Sequence, residues 1–159
     1  MDLYKQYVRP HLEFAVPAWS PWTQGDIETL ERVQRRAVRM VSGLQGTSYQ
    51  EKLKEMGLLS LEDRRLQYDL VQTFKIIRGF DQVDHRTWFT LVGNNPARIT
   101  RDTSDPLNII RQATRTEIRR HFFSNRVIQH WNDLPSNIKL VKSVSAFKSY
   151  VNKMLLNKI

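Results

Sequence analysis

The stretch Asp26 to Leu44, DIETLERVQRRAVRMVSGL, restricts what this chain can fold into more than any other. Drawn as a helix at about 100° per residue, it separates into two unlike faces. Ile27, Leu30, Val33, Ala37, Met40, Val41 and Leu44 share one apolar arc, and Arg32, Arg35, Arg36 and Arg39 lie together on the opposite side. A single amphipathic helix is not stable alone, so other helices must cover the apolar arc, which predicts a mostly α protein built as a small helical bundle. The guanidinium stripe then faces outward, and two readings of it stand. In one it is a solvated face held by ion pairs, since Glu28–Arg32 and Glu31–Arg35 have the favourable i,i+4 orientation. That leaves Arg36 and Arg39 without an acidic partner on the helix, so ion pairing accounts for half of the stripe and contact with something anionic stands beside it as an equal second reading.

Charge balance bears on the second reading. The 159 residues carry 25 Lys and Arg against 16 Asp and Glu, a net charge of +9, and the pI is near 10.1. Such an excess suits polyanions, nucleic acid first and an anionic membrane surface second. The length fits one domain, or one domain with a small appendage. The absence of cysteine excludes disulfides, thiol catalysis and Cys-based zinc sites. No apolar run is long enough to span a bilayer. Helical pattern begins at Asp2 without a signal peptide, and no Asn-x-Ser/Thr acceptor occurs, so the expectation is an intracellular protein, nuclear or cytoplasmic and not secreted.

Residues 2–16 read as a helix with Leu3, Tyr4, Tyr7, Val8, Leu12, Ala15 and Val16 at its apolar positions. Pro10 predicts a kink near Tyr7 to Arg9, or a second short helix with the proline in its first turn. A helix starting at residue 2 with no cap reads as one cut from something longer. Pro17, Pro21 and Gly25 mark a connector whose Trp19 and Trp22 are expected to plug a gap between helices, with base stacking as the alternative. After the arginine helix, Gly43 and Gly46 are stop signals. Ser48-Tyr49-Gln50-Glu51 has the spacing of a capping box, opening a short helix that Gly57 ends. Ser60 opens the next helix, which buries Leu66, Leu70, Phe74 and Ile77 and stops at Gly79. A short helical segment is expected around Asp84 to Leu91.

From Gly93 the chain turns to loop chemistry, with Gly-Asn-Asn-Pro, Arg98, Arg101 and Ser104-Asp105-Pro106. The expected organisation is therefore a helical module over 1–92, a basic loop or short β-hairpin over 93–120 using Leu107, Ile109 and Ile110, and a C-terminal helical segment over 121–159. Arg111, Arg115, Arg119, Arg120 and Arg126 are answered only by Glu117. Helix resumes near Phe122 or Ser124 and stops at Leu134-Pro135. Ser143 or Ser145 caps a last helix with Val144, Phe147, Val151 and Leu155 along one stripe. Beyond Asp133 there is no acidic residue, while Lys139, Lys142, Lys148, Lys153 and Lys158 remain, suited to phosphate or to the helix macrodipole.

The constellations of enzymes are missing. His11, His85, His121 and His130 have no metal-ligand spacing. Gly43-Leu44-Gln45-Gly46 lacks the Lys-Ser/Thr of a phosphate loop, and no adjacent aspartates are present for two-metal nucleotidyl transfer. No nucleophile-elbow spacing joins Ser, His and Asp. Neither a metal, a cofactor nor an active site is expected in this chain.

Several segments add up to a likeness in order and spacing. They are Val8-Arg9-Pro10-His11-Leu12-Glu13-Phe14-Ala15, Trp19-Ser20-Pro21, Leu30-Glu31-Arg32-Val33-Gln34-Arg35-Arg36-Ala37, Ser60-Leu61-Glu62 with Arg64-Arg65, Phe122-Phe123-Ser124-Asn125-Arg126-Val127, and Trp131-Asn132-Asp133-Leu134-Pro135. Together they resemble the block that follows the palm in reverse transcriptases of non-LTR retrotransposons, the jockey-like, LINE-type elements. The likeness covers nearly the whole chain and is weakest between Gly93 and Thr114. It implies a part of an RNA-directed DNA polymerase, namely the helical thumb that grips primer and template, plus the region after it. The palm tetrad that binds two metals and the endonuclease domain have no counterpart here, so the chain alone is not expected to be an enzyme. Implied partners are RNA, an RNA–DNA heteroduplex or DNA, together with the palm and fingers of a parent polymerase, and no membrane. Arg32, Arg35, Arg36 and Arg39 would contact backbone phosphates, supported by Arg119, Arg120, Arg126, Lys148 and Lys153. The alternatives left open are a non-catalytic helical scaffold for a protein partner and a decayed element remnant.

Overall fold

A computed structural model of the chain describes residues 2–41, 46–94 and 105–157. The protein is mostly helical, and no strand occurs among the described residues. Two compact units are formed, one by Met1–Tyr68 with Val151–Ile159 and the other by Asp69–Tyr150. This division differs from a boundary at residue 93 and falls within two helices.

In the first unit, Pro10 shapes the N-terminal segment. One widened π turn, Tyr4–Val8, is followed by α1, Arg9–Glu13, with the proline in its first turn. The Arg9 amide bonds the Tyr4 carbonyl, one residue further back than in an α-helix. That widening accommodates the missing N–H and the ring that an α turn would force against the preceding carbonyl. Helix α2, Val16–Trp19, begins after Ala15 in the left-handed region at φ 50°. Thr23 caps α3, Gln24–Arg39, by accepting a bond from the Asp26 amide. Ser48 and Glu51 form the expected capping box of α4, Tyr49–Glu55, and Gly57 turns the chain at φ +59°. Helix α5, Leu61–Ile77, follows, with the Ser60 hydroxyl accepting from the Asp63 amide at 3.0 Å. Val38, Leu53 and Leu58 pack together with Tyr49 and Met56 against them.

Buried polar groups fix this unit as much as apolar ones do. The Glu13 carboxylate accepts from Arg64 Nε at 2.8 Å and Nη2 at 2.7 Å, and from the Tyr68 hydroxyl at 3.0 Å. These bonds tie α1 to α5 across 51 residues of chain. Such charge-assisted, two-pronged pairs are directional as well as strong.

The second unit holds the aromatic core. Phe74 and Phe147 stack at 4.3 Å, Trp131 lies 6.0 Å from Phe147, and Phe89 meets Phe123 edge-on at 5.8 Å. Its helices are α6, Glu117–His121, α7, Phe123–Arg126, α8, Ile128–Asn132, α9, Ser136–Lys139, and the first half of α10, Val144–Leu156, whose residues from Val151 onward belong to the first unit. Ser143 caps α10, accepting from the Ala146 amide at 3.2 Å, and Phe147, Val151 and Leu155 are fully buried as their spacing predicts. Leu66 and Ile77 of α5 are only half-buried, whereas Leu70 and Phe74 are buried. The segment expected to be helical around Asp84 to Leu91 holds a single 3-10 turn, His85–Thr87, capped by Asp84.

Among the described residues the expected hairpin is one antiparallel bridge between Leu91 and Ile109, flanked by Val92 N–H to the Asn108 carbonyl and Ile110 N–H to the Thr90 carbonyl. Asn132 covers the other edge of the Ile109 segment. Its side-chain amide accepts from the Ile109 N–H at 2.8 Å and donates to the Ile109 carbonyl at 3.0 Å, standing in for the next strand. Arg98, Arg101 and Asp102, with Gly43 and Leu44, lie outside the described residues.

Candidate nucleic-acid interface

Helix α3 is rotated away from the orientation its apolar pattern predicts. The residues it buries are Glu31, Gln34 and Val38. Ile27, Leu30, Ala37 and Val41 are half-buried, while Val33 is 40% and Met40 75% exposed. On a helical projection the buried seam is centred about 90° from the centre of the apolar arc. Hydrogen bonding supplies the reason. Gln34, with no exposed surface, accepts from the Tyr4 hydroxyl at 2.7 Å and donates to the Tyr49 hydroxyl at 3.1 Å and the Leu59 carbonyl at 3.0 Å. Glu31 accepts from the Tyr49 hydroxyl and from the Leu61 N–H at 3.0 Å. Turning the helix to bury Val33 and Met40 would strand these groups, and a buried unpaired polar atom costs about 1–3 kcal/mol. Burial pushes both phenols, Tyr4 and Tyr49, above the ordinary tyrosine range, and for Tyr49 the Glu31 carboxylate adds to the effect.

The rotation leaves the arginine stripe outward. Arg32, Arg35, Arg36 and Arg39 are all exposed. The expected pairs do not form: Glu31 is turned inside, and Glu28 accepts instead from the Gln24 amide at 2.9 Å. Among the described residues no carboxylate lies within 4.0 Å of any of the four guanidiniums. Arg35 stacks over the Tyr49 ring at 5.0 Å. Arg36 and Arg39 sit in the last turn, where cations complement the macrodipole.

The other candidate positions are placed variously. Lys153 belongs to the same unit and is exposed. Arg119, Arg120, Arg126 and Lys148 belong to the second unit. Arg119 is exposed and lies over the Phe122 ring at 5.3 Å, Lys148 is exposed, and Arg120 pairs with Glu117 at 2.7 Å. Arg126 corrects the expectation of a phosphate contact. Its guanidinium is largely buried, held by Asp69 through Nε at 2.7 Å and Nη2 at 2.9 Å, and bonded to the His121 carbonyl at 3.1 Å. Its role is to join α5 to the turn before α7. Lys139, counted with the basic tail, is likewise internal: its ammonium donates to Asp105 at 2.8 Å and Asn108 at 2.7 Å above the Trp131 ring. Trp19 and Trp22 do not plug a gap between helices; they are 41% and 48% exposed, and the Trp19 indole N–H bonds the Phe14 carbonyl.

Sequence reasoning passed over Lys52, which together with Arg35 and Arg39 lines a cleft beside Tyr49 and Gln50. The available signal was the i,i+4 pair Arg35 and Arg39 facing a helix whose capping box fixes where it starts. Among the described residues no group of three or more His, Asp or Glu is arranged to hold a metal, and no helix is long and apolar enough to cross a membrane. Comparison with protein-family models, with curated proteins and with solved structures finds no match to the chain.

Proposed function

We propose that this chain binds nucleic acid through backbone phosphates, without sequence readout, as the thumb and post-thumb part of a non-LTR retrotransposon reverse transcriptase, and that it has no polymerase site of its own. The observation that carries the reading is the set of four exposed guanidiniums on α3 with no carboxylate beside them among the described residues. Cations clustered on one face without acidic partners favour a polyanion, and forked guanidiniums match phosphate oxygens. The resemblance set out from the sequence supplies the choice of RNA or an RNA–DNA heteroduplex. Fluorescence anisotropy with labelled heteroduplexes of two unrelated sequences tests it. Equal binding of both, weakened equally by Arg36→Ala with Arg39→Ala, is expected; strong dependence on sequence, or no binding, overturns it.

One observation favours a second reading, a protein-docking scaffold. Val33 and Met40 leave an apolar strip on α3 uncovered, and Leu3 and Phe14 are 74% and 78% exposed. Light scattering separates the two: self-association that a heteroduplex does not alter supports the scaffold, and a monomer that forms a complex with the heteroduplex supports nucleic-acid binding.

A further inference from the structure

Two clefts flank Arg35, and their linings carry opposite charge. One, of about 260 Å³, is lined by Glu28, Glu31, Glu62 and Asp63. The other, of about 360 Å³, lies between the second half of α3 and the start of α4 and gathers Arg35, Arg39 and Lys52 beside Gln50, over Val38 and Tyr49. None of these three cations has a carboxylate within 4.0 Å among the described residues. The acids nearest in sequence are committed elsewhere, Glu31 to Tyr49 and Leu61, and Glu51 to the Ser48 amide at 2.7 Å.

Three like charges facing one small space repel each other unless an anion sits among them. The donors suit a phosphoryl group better than a carboxylate: two guanidinium forks and an ammonium reach more oxygens than a carboxylate offers. Tyr49 prepares the site, because its ring holds the Arg35 guanidinium at 5.0 Å while its hydroxyl is fixed in the core. The acidic cleft on the other flank of Arg35 repels phosphate, so a polynucleotide cannot continue past Arg35 on that side. Arg32 and Arg36 lie further round α3, away from both clefts.

We infer that the cleft of Arg35, Arg39 and Lys52 is a seat for a single phosphoryl group, a terminal phosphate or an internal phosphodiester, from which a nucleic-acid strand runs outward over Arg36 and Arg32. The strand rests on the nucleic-acid reading; the phosphoryl seat does not. Inorganic phosphate, titrated into the full chain at constant ionic strength and followed by proton–nitrogen correlation spectra, tests the seat directly. Saturable shifts are expected at amides of the second half of α3 and the first turn of α4. Lys52→Gln and Arg39→Gln should each weaken phosphate about fivefold or more, and Arg32→Gln should leave it unchanged. Shifts that never saturate, or an equal loss with Arg32→Gln, overturn the seat. With oligonucleotides, a loss in Lys52→Gln confined to 5′-phosphorylated strands assigns a terminal phosphate, and an equal loss with 5′-hydroxyl strands assigns a phosphodiester. Saturable phosphate without heteroduplex binding keeps the seat and defeats the nucleic-acid reading. Heteroduplex binding that Lys52→Gln leaves intact, without saturable phosphate, does the reverse.

Discussion

The rotation of α3 can be tested by exchanging two residues of nearly equal size and helix propensity, in Gln34→Met and Met40→Gln. In the wild-type protein Gln34 has no exposed surface and three hydrogen bonds, whereas Met40 is 75% exposed. Methionine at position 34 leaves the Tyr4 hydroxyl and the Leu59 carbonyl without partners, at about 1–3 kcal/mol each. Burying a thioether in place of an amide returns about 1–2 kcal/mol of that loss. The expected net destabilisation is about 1–4 kcal/mol, against about 0.5 kcal/mol or less for Met40→Gln at the surface. With a urea slope of about 2 kcal/mol per molar, Gln34→Met should lower the unfolding midpoint by about 0.5–2 M and Met40→Gln should hardly move it. An apolar arc packed inward demands the opposite order. If Met40→Gln proves the more damaging change, the buried polar seam is wrong and the outward arginines lose their frame.

The same chemistry yields further outcomes. Burial raises Asp105, but the Lys139 ammonium, the Leu107 amide and the Ser136 hydroxyl outweigh it and hold the carboxyl below the ordinary carboxylate range. Its contribution to stability is therefore present above the unfolded carboxyl pKa of about 4 and is lost as pH falls through the lower folded value. Lys139→Met should remove about 3–5 kcal/mol at neutral pH and weaken that acid-side dependence, read from urea midpoints at several pH values. For Tyr4 and Tyr49 the sign reverses: the folded state keeps its protons more tightly, so stability is full below a pH of about 10 and declines above it. Spectrophotometric titration should show Tyr4 and Tyr49 among the phenols that resist ionisation in the folded state, and Tyr4→Phe should remove one of them. Adding a Cβ at Gly93 would bring it to 2.9 Å from the Pro106 side chain. Gly93→Ala should accordingly cost about 1–3 kcal/mol in a thermal or urea melt.

Where local chemistry decides the outcome, the amino-acid sequence was sufficient. The capping box at Ser48, the turn glycines at 57 and 79, the break before Pro10 and the buried stripe of α10 are all settled within a few residues. What could not be read were the long-range polar partners. Periodicity treats Glu31 and Gln34 as surface positions, because nothing local reveals that Tyr4, Tyr49, Leu59 and Leu61 converge on them from elsewhere in the chain. Arg126 and Lys139 escaped for the same reason: their carboxylates, Asp69 and Asp105, are 57 and 34 residues distant. The arginine face itself was legible, since four guanidiniums on one side of one helix need no distant partner to be recognised. Its relation to Lys52 was not, because that depends on how α4 returns to α3.

If the α3 guanidiniums neutralise phosphates, the salt dependence of heteroduplex affinity must change when they are removed. At a slope of about −0.9 per phosphate contact, Arg36→Ala with Arg39→Ala should flatten the logarithmic plot by about 1.8 and weaken binding about 30-fold near 0.15 M salt. A variant whose slope and affinity both match those of the wild-type chain would show that this face does not contact phosphates.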